Sequence, residues 1–241
     1  MLVHLSLKKL HLMKKYKYLL FDLDNTLLDF TRSSESSFKK MIGHYSDLDK
    51  ETLFKEYYII NKACWSAAER GELALSEIKT LRFQRFNALF EIDADPNEMN
   101  THYFDYLRES VFYVNDALDV LKQIRAKQIG MSIITNGLKE VQDRRIELSG
   151  IKDYFDAIII SDAIGVKKPD TAFFDYTLKQ IPSFNKEDLL VIGDTAGSDI
   201  LGAYNANIPS CWFNPNQKEW SSNKFKPTHS ISQLPELLEL I

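Results

Sequence analysis

Two aspartates two residues apart, Asp22 and Asp24, close a short apolar run, Lys17-Tyr18-Leu19-Leu20-Phe21. Carboxylates at the end of a buried strand are costly unless a cation meets them. In an extended strand the side chains of residues i and i+2 point the same way, so both acids can face one site. One can then bind a metal and attack phosphorus while the other moves protons. The competing reading is a solvated turn in which the aspartates cap a helix.

Three further polar clusters close apolar runs. Thr135-Asn136-Gly137 follows residues 131–134. A hydroxyl and free backbone N–H groups there can hold phosphate oxygens, and the same residues also suit a plain N-cap and turn. Gly165-Val166-Lys167-Lys168-Pro169-Asp170 follows residues 157–160. A fixed ammonium group there can neutralise phosphate charge, and the alternative is a solvated lysine pair. Lys168 is the better candidate of the two lysines, because Pro169 restricts its backbone and suits a helix start. Gly193-Asp194-Thr195-Ala196-Gly197-Ser198-Asp199 follows residues 189–192. Two acids among small residues suit magnesium, which prefers oxygen ligands; a capped turn is again the alternative.

These clusters need a scaffold that brings strand ends together. Five near-continuous apolar runs, at residues 17–21, 131–134, 157–160, 189–192 and 210–213, suit parallel strands covered on both faces. Helical patterns lie between them. Ala117, Val120, Leu121 and Ile124 make one helix face, with Gly130 as a stop signal. Residues 140–148 read as a second helix ended by Gly150. Alternating strands and helices predict a doubly wound, Rossmann-like α/β core. Ligands bind beyond the carboxyl ends of such strands, which is where all four polar clusters fall.

Roughly a hundred residues separate the first two strands, far more than the dozen or so that one crossover needs. Within this excess Phe54, Tyr57, Tyr58, Trp65 and Ala68 recur at near-helical spacing, as do Ile78, Leu81, Arg85, Phe86 and Leu89, then Met99, Tyr103 and Leu107. Three or four helices are expected, forming a small inserted bundle. The boundaries read from the sequence are an N-terminal extension over 1–15, a core over 16–30 and 111–241, and a helical cap over 31–110.

Composition narrows the function classes. Hydrophobic residues make up 44% of the 241, enough for a sizeable core. A formal net charge of −4 gives no basic footprint, so no nucleic-acid polymer is expected as a partner. No apolar run reaches the ~18 residues of a membrane span, and no cleavage site follows the opening residues. Cys64 and Cys211 lie far apart without metal-type spacing and read as reduced thiols, so the expected location is cytoplasmic. His4, His11, His44, His102 and His229 sit near no motif, and Asp29 is expected to face a hinge or solvent.

The set Asp22-x-Asp24-x-Thr26, Thr135, Lys168 and Gly193-Asp194…Asp199 resembles the four motifs of the haloacid-dehalogenase-like phosphatase superfamily, in the right order and at the expected strand ends. The insert is similar to that superfamily's helical cap of the first type. Asn61-Lys62, Trp65, Gly71 and Arg82-Phe83, with Ile133-Ile134-Thr135-Asn136-Gly137 and Ser198-Asp199-Ile200-Leu201-Gly202, are similar to its pyrimidine 5′-nucleotidase branch. The resemblance covers the chain from about residue 17 onward.

It implies a magnesium-dependent phosphomonoester hydrolase acting on a small phosphorylated metabolite, a pyrimidine nucleoside monophosphate foremost. Asp22 would be the nucleophile and Asp24 the acid–base. Thr135, Asn136 and Lys168 would bind phosphate. Asp22, the carbonyl of Asp24, Asp194 and Asp199 would hold magnesium, Asp199 directly or through water. Trp65, Arg70, Gly71 or Arg82 would approach the nucleoside, against the alternative that Trp65 is cap core. An acid at position 24 disfavours halide substrates, because the superfamily's dehalogenases lack one there. The alternatives are a phosphatase of phosphoglycolate or a sugar phosphate, and a non-catalytic protein that binds phosphorylated metabolites.

Overall fold

The computed structural model describes residues 16–241. The expected N-terminal extension lies outside the described residues. Six strands form one parallel sheet: β1 (Tyr18–Phe21), β2 (Gly130–Thr135), β3 (Ala157–Ile160), β4 (Leu189–Gly193), β5 (Ser210–Phe213) and β6 (His229–Ile231). Their order is β3-β2-β1-β4-β5-β6. The chain therefore steps outward from β1 to β3, then returns to the other side of β1. Such a reversal is where open α/β sheets bind ligands. β1 lies between β2 and β4 in register, Phe21 opposite Ile133 on one side and Ile192 on the other. All four of its residues are buried, which explains its unbroken apolar run.

The five apolar runs coincide with β1 to β5. β6 has only three residues, His-Ser-Ile, at the sheet edge. So short a run carries no apolar pattern that marks it in the sequence.

Among the described residues nine α-helices accompany the strands: α1 (Phe30–Ile42), α2 (Lys50–Glu69), α3 (Leu75–Phe90), α4 (Pro96–Arg108), α5 (Ala117–Ala126), α6 (Lys139–Ser149), α7 (Ser161–Ile164), α8 (Thr171–Gln180) and α9 (Leu201–Ala206). α5 buries Ala117, Val120, Leu121 and Ile124, the face its spacing predicts. α6 ends at Gly150, whose φ of 66° is the left-handed conformation glycine adopts without strain. Phe173 and Phe174 of α8 and Ala203 of α9 join Tyr18, Leu20, Leu189 and Val191 in one core. α8 begins at Thr171, with Asp170 as its N-cap accepting from Ala172 N–H. Pro169 therefore stands outside the helix, before the cap.

Two compact units emerge. The first holds the chain up to Leu27, Tyr113–Asn136 and Asp153–Ile241, and contains the sheet. The second holds Leu28–Phe112 and Gly137–Lys152. It consists of α1 to α4 with α6, whose Val141 joins the second unit's core. That core is mainly aromatic: Phe38 stacks on Tyr57 at 4.4 Å, and Tyr57 on Phe83 at 5.4 Å. Asp29, Asp49 and Asp95 cap α1, α2 and α4 through their carboxylates. Asp29 thus has a local structural role. Tyr58 and Leu89 share the helical spacing of the core residues yet are 39% and 54% exposed. No helix among the described residues is long and apolar enough to cross a membrane.

Candidate active site

The strand ends of the first unit converge on Lys168. Its side chain is 1% exposed, and its ammonium donates three hydrogen bonds. They go to Asp22 Oδ1 at 2.7 Å, Asp199 Oδ1 at 2.7 Å and the Ile134 carbonyl at 2.8 Å. One lysine, carried by the segment after β3, thus ties together the ends of β1, β2 and β4.

Each acid is held by a second contact. The backbone N–H of Asp22 bonds the Ile192 carbonyl, which extends the β1–β4 ladder by one rung. Its Oδ2 accepts from the buried Thr26 hydroxyl at 3.2 Å, inside the turn that Asn25 makes at a φ of 60°. Asp199 turns back from a π-helical turn, Ala196–Ile200. Its Oδ2 accepts from Thr195 N–H at 3.0 Å. Gly193 makes that return possible, because a Cβ there would stand 2.3 Å from the Asp199 carboxyl. Asp194 Oδ1 accepts from the Thr195 hydroxyl at 3.1 Å, and the Trp212 indole N–H donates to the Asp194 carbonyl at 2.9 Å.

The electrostatics are unbalanced. One carboxylate oxygen from each of Asp22, Asp194 and Asp199 lies within 4.8 Å of the others. Three anions face one ammonium, a formal charge of −2. Burial pushes the Asp22 carboxyl well up, Lys168 opposes this, and Asp199 and Asp194 add to it. Burial, then Asp199, push Asp194 up to about 7, and Asp24 contributes in the same direction. Burial alone would lower Lys168, but Asp199 and Asp22 outweigh it and hold the ammonium above its ordinary range. A divalent cation matches the missing charge. Oxygen ligands ~2.1 Å from magnesium are up to ~4.2 Å apart, so small side-chain adjustments would close these acids around it. The residues present therefore fit magnesium.

Asp24 is half-buried and is not part of this triad, although its charge reaches Asp194. Thr135 is buried at the end of β2. Asn136, expected to bind phosphate, has its side-chain amide engaged with the backbone of Lys168. Thr26, which the sequence marked only as part of the first motif, and Thr195, Trp212 and the Ile134 carbonyl, to which it gave no role, also build the site.

The cap candidates belong to the second unit. Arg70 is exposed and pairs with Glu72 at 2.7 Å. Gly71 is exposed at a φ of 77°. Trp65 is half-buried against a small cluster of Cys64, Ala68 and Ile78. Arg82 is only 2% exposed and donates to Asn61 Oδ1 at 3.0 Å and Asn100 Oδ1 at 2.7 Å. Its guanidinium lies 4.7 Å from the Tyr103 ring and 5.0 Å from those of Phe83 and Phe104. Arg82 is thus a buried residue packed among the aromatic rings of the helical unit. His44 and His102 bond Tyr106 and Tyr45, and His229 bonds Tyr16.

A parallel sheet with acids, a hydroxyl and a lysine at adjoining strand ends defines a class of hydrolase. The model of the haloacid dehalogenase-like hydrolase family matches residues 19–213, and the chain belongs to that family. It is 33% identical to the pyrimidine 5′-nucleotidase YjjG of Escherichia coli, over 94% of this chain and 98% of that one. It is 32% identical to the pyrimidine 5′-nucleotidase PynA of Streptococcus pneumoniae, over 94% and 95%. Among solved structures, the putative hydrolase YfnB of Bacillus subtilis, bound to magnesium, superposes with a TM-score of 0.87 at 29% identity, covering 94% of this chain and 99% of that one.

Proposed function

We propose that this enzyme is a magnesium-dependent phosphomonoester hydrolase, cytoplasmic, that works through an aspartyl-phosphate on Asp22 and takes pyrimidine nucleoside monophosphates. The observation that carries this reading is the buried charge imbalance, three carboxylates around one ammonium at the ends of adjoining strands. A site that only bound a phosphorylated metabolite would gain nothing from concentrating anions where an anion must land. The names of the two nucleotidase relatives support the substrate class.

Asp22 attacks phosphorus through a carboxylate oxygen, and the bond to the leaving oxygen breaks. Asp24 gives that oxygen its proton. Asp24 then takes a proton from water, which attacks phosphorus and frees Asp22 and inorganic phosphate. Lys168 and the Thr135 hydroxyl hold the phosphoryl oxygens, while Thr26 keeps Asp22 from rotating away. Asp22, the Asp24 carbonyl and Asp194 hold magnesium, with Asp199 beside them. The ion supplies the positive charge that lets a carboxylate and a phosphate meet. The candidates for selecting the nucleoside are Trp65, Arg70, Gly71 and Arg82 of the helical unit.

Phosphate release would be measured with magnesium across nucleoside monophosphates, sugar phosphates and phosphoglycolate. Preference for pyrimidine monophosphates is expected, with about 10²- to 10⁴-fold loss in Asp24→Asn. A sugar phosphate as best substrate would replace the substrate and keep the chemistry. Full activity in Asp24→Asn would remove its acid–base role. An unchanged KM for uridine monophosphate in a stable Trp65→Ala variant would take Trp65 out of the specificity set.

A further inference from the structure

The geometry points to Asn136 as a positioning residue that sets the reach of Lys168, and not as a phosphate ligand. Lys168 sits in the irregular segment between α7 and α8, where no strand or helix ladder satisfies its backbone. A buried peptide group must find partners elsewhere. Both come from one side chain. Asn136 Nδ2–H donates to the Lys168 carbonyl at 2.9 Å, and Lys168 N–H donates to Asn136 Oδ1 at 2.9 Å. The amide offers Lys168 the donor–acceptor pair that a neighbouring strand would offer.

The side chain of Lys168 closes the loop. Its ammonium returns to the Ile134 carbonyl, two residues before Asn136. Lys168 is thus tied to the end of β2 at both its backbone and its Nζ. Two points of attachment leave little freedom in where the ammonium stands, 2.7 Å from both Asp22 and Asp199. A lysine has four rotatable side-chain bonds, so fixing its backbone is what turns a long reach into a defined position. Asparagine supplies this because its amide carries a donor and an acceptor together. Aspartate can only accept, and serine is too short to span both groups.

The proposal rests on the reading of Lys168 as a phosphate-binding group, and its test separates the two. Hydrolysis of p-nitrophenyl phosphate, with magnesium, would be followed in a cycle of wild type, Asn136→Ala, Lys168→Ala and the double variant. A misplacement of ~1 Å costs on the order of 10²-fold, so Asn136→Ala should lose about 10- to 100-fold in kcat/KM. The same change in the Lys168→Ala background should cost less than about 2-fold, because no ammonium remains to be positioned. Additive losses would overturn the proposal and mean that Asn136 touches phosphate itself. Wild-type activity in Asn136→Ala would overturn it too. An unaffected Lys168→Ala enzyme would instead overturn the reading of Lys168.

Should Asn136→Ala not fold, Asn136→Asp replaces it in the cycle. That variant keeps the volume and the bond from Lys168 N–H, and loses the donation to the Lys168 carbonyl. Should Lys168→Ala be too slow to measure, Lys168→Arg serves as the background. It keeps the charge in a different shape, and a loss from Asn136→Ala as large there as in wild type would count against the clamp.

Discussion

Each unit of this protein buries a long cation, and the two solve the same problem differently. Lys168, in the sheet unit, faces two carboxylates and one carbonyl. Arg82, in the helical unit, has two neutral amide oxygens and aromatic ring faces, and its Nε has no partner among the described residues. A buried charge is tolerated when it is paired or fully hydrogen-bonded. Arg82 meets that condition only in part, with amide dipoles and ring quadrupoles, which hold α2, α3 and α4 together without creating net negative charge. The surroundings of Lys168 overshoot and leave an excess of anions. Excess charge in a buried site has a use only if something charged arrives. On the proposed function, the contrast sets a functional cation beside a structural one.

The largest expected effect is on Lys168. Replacing it with methionine should cut kcat/KM by about 10³-fold, the size seen when one transition-state charge stabiliser is lost. Arg82→Met, assayed beside it, should leave kcat/KM within about 3-fold. Reversal of that order would break the distinction between the two sites.

Arg82→Met should appear in stability instead. It leaves the Asn61 and Asn100 oxygens without their donor, and a buried unsatisfied group costs about 1–3 kcal/mol. Urea denaturation should therefore show a loss of about 2–4 kcal/mol. A stable Arg82→Met protein with a raised KM would mean that Arg82 meets the substrate after all.

The third effect is smaller and concerns magnesium. Burial, then Asp199, push the Asp194 carboxyl in the folded protein up to about 7 from its ordinary 3.8. Between those values the folded state holds a proton that the unfolded chain has released, so metal-free stability falls as pH rises through that window. Magnesium offsets this only when the acids are charged. The Tm gain from magnesium should be larger at pH 8 than at pH 6, and the deficit of Arg82→Met should depend on neither. Equal gains at both pH values would argue against the acid triad as the metal site.

Much of the α/β unit was legible because its signals are local. Asp22, Thr135 and Asp194 each end an apolar run, and Pro169 marked Lys168 over Lys167. The roles of Thr26, Asn136, Thr195 and Trp212 were not legible. They depend on which backbone atom of a distant segment comes within about 3 Å, which register and tertiary packing decide. Asn136 reads as a phosphate ligand because an asparagine at a strand end offers donors, and its bonds to the Lys168 backbone are visible only in the fold. In the helical insert the periodicity of Met99, Tyr103 and Leu107 gave the true core face. The burial of Arg82 was not legible, because a charged side chain is presumed exposed and its neutral partners Asn61 and Asn100 lie 21 and 18 residues away.

The most direct test of the account is to trap the phosphorylated residue. The enzyme, turning over uridine monophosphate with magnesium, would be quenched and reduced with borohydride, which converts an aspartyl-phosphate into homoserine. Peptide mass spectrometry should find homoserine at position 22, and none in Asp22→Asn. Homoserine at another aspartate, or at none while phosphate is being released, would contradict Asp22 as the nucleophile.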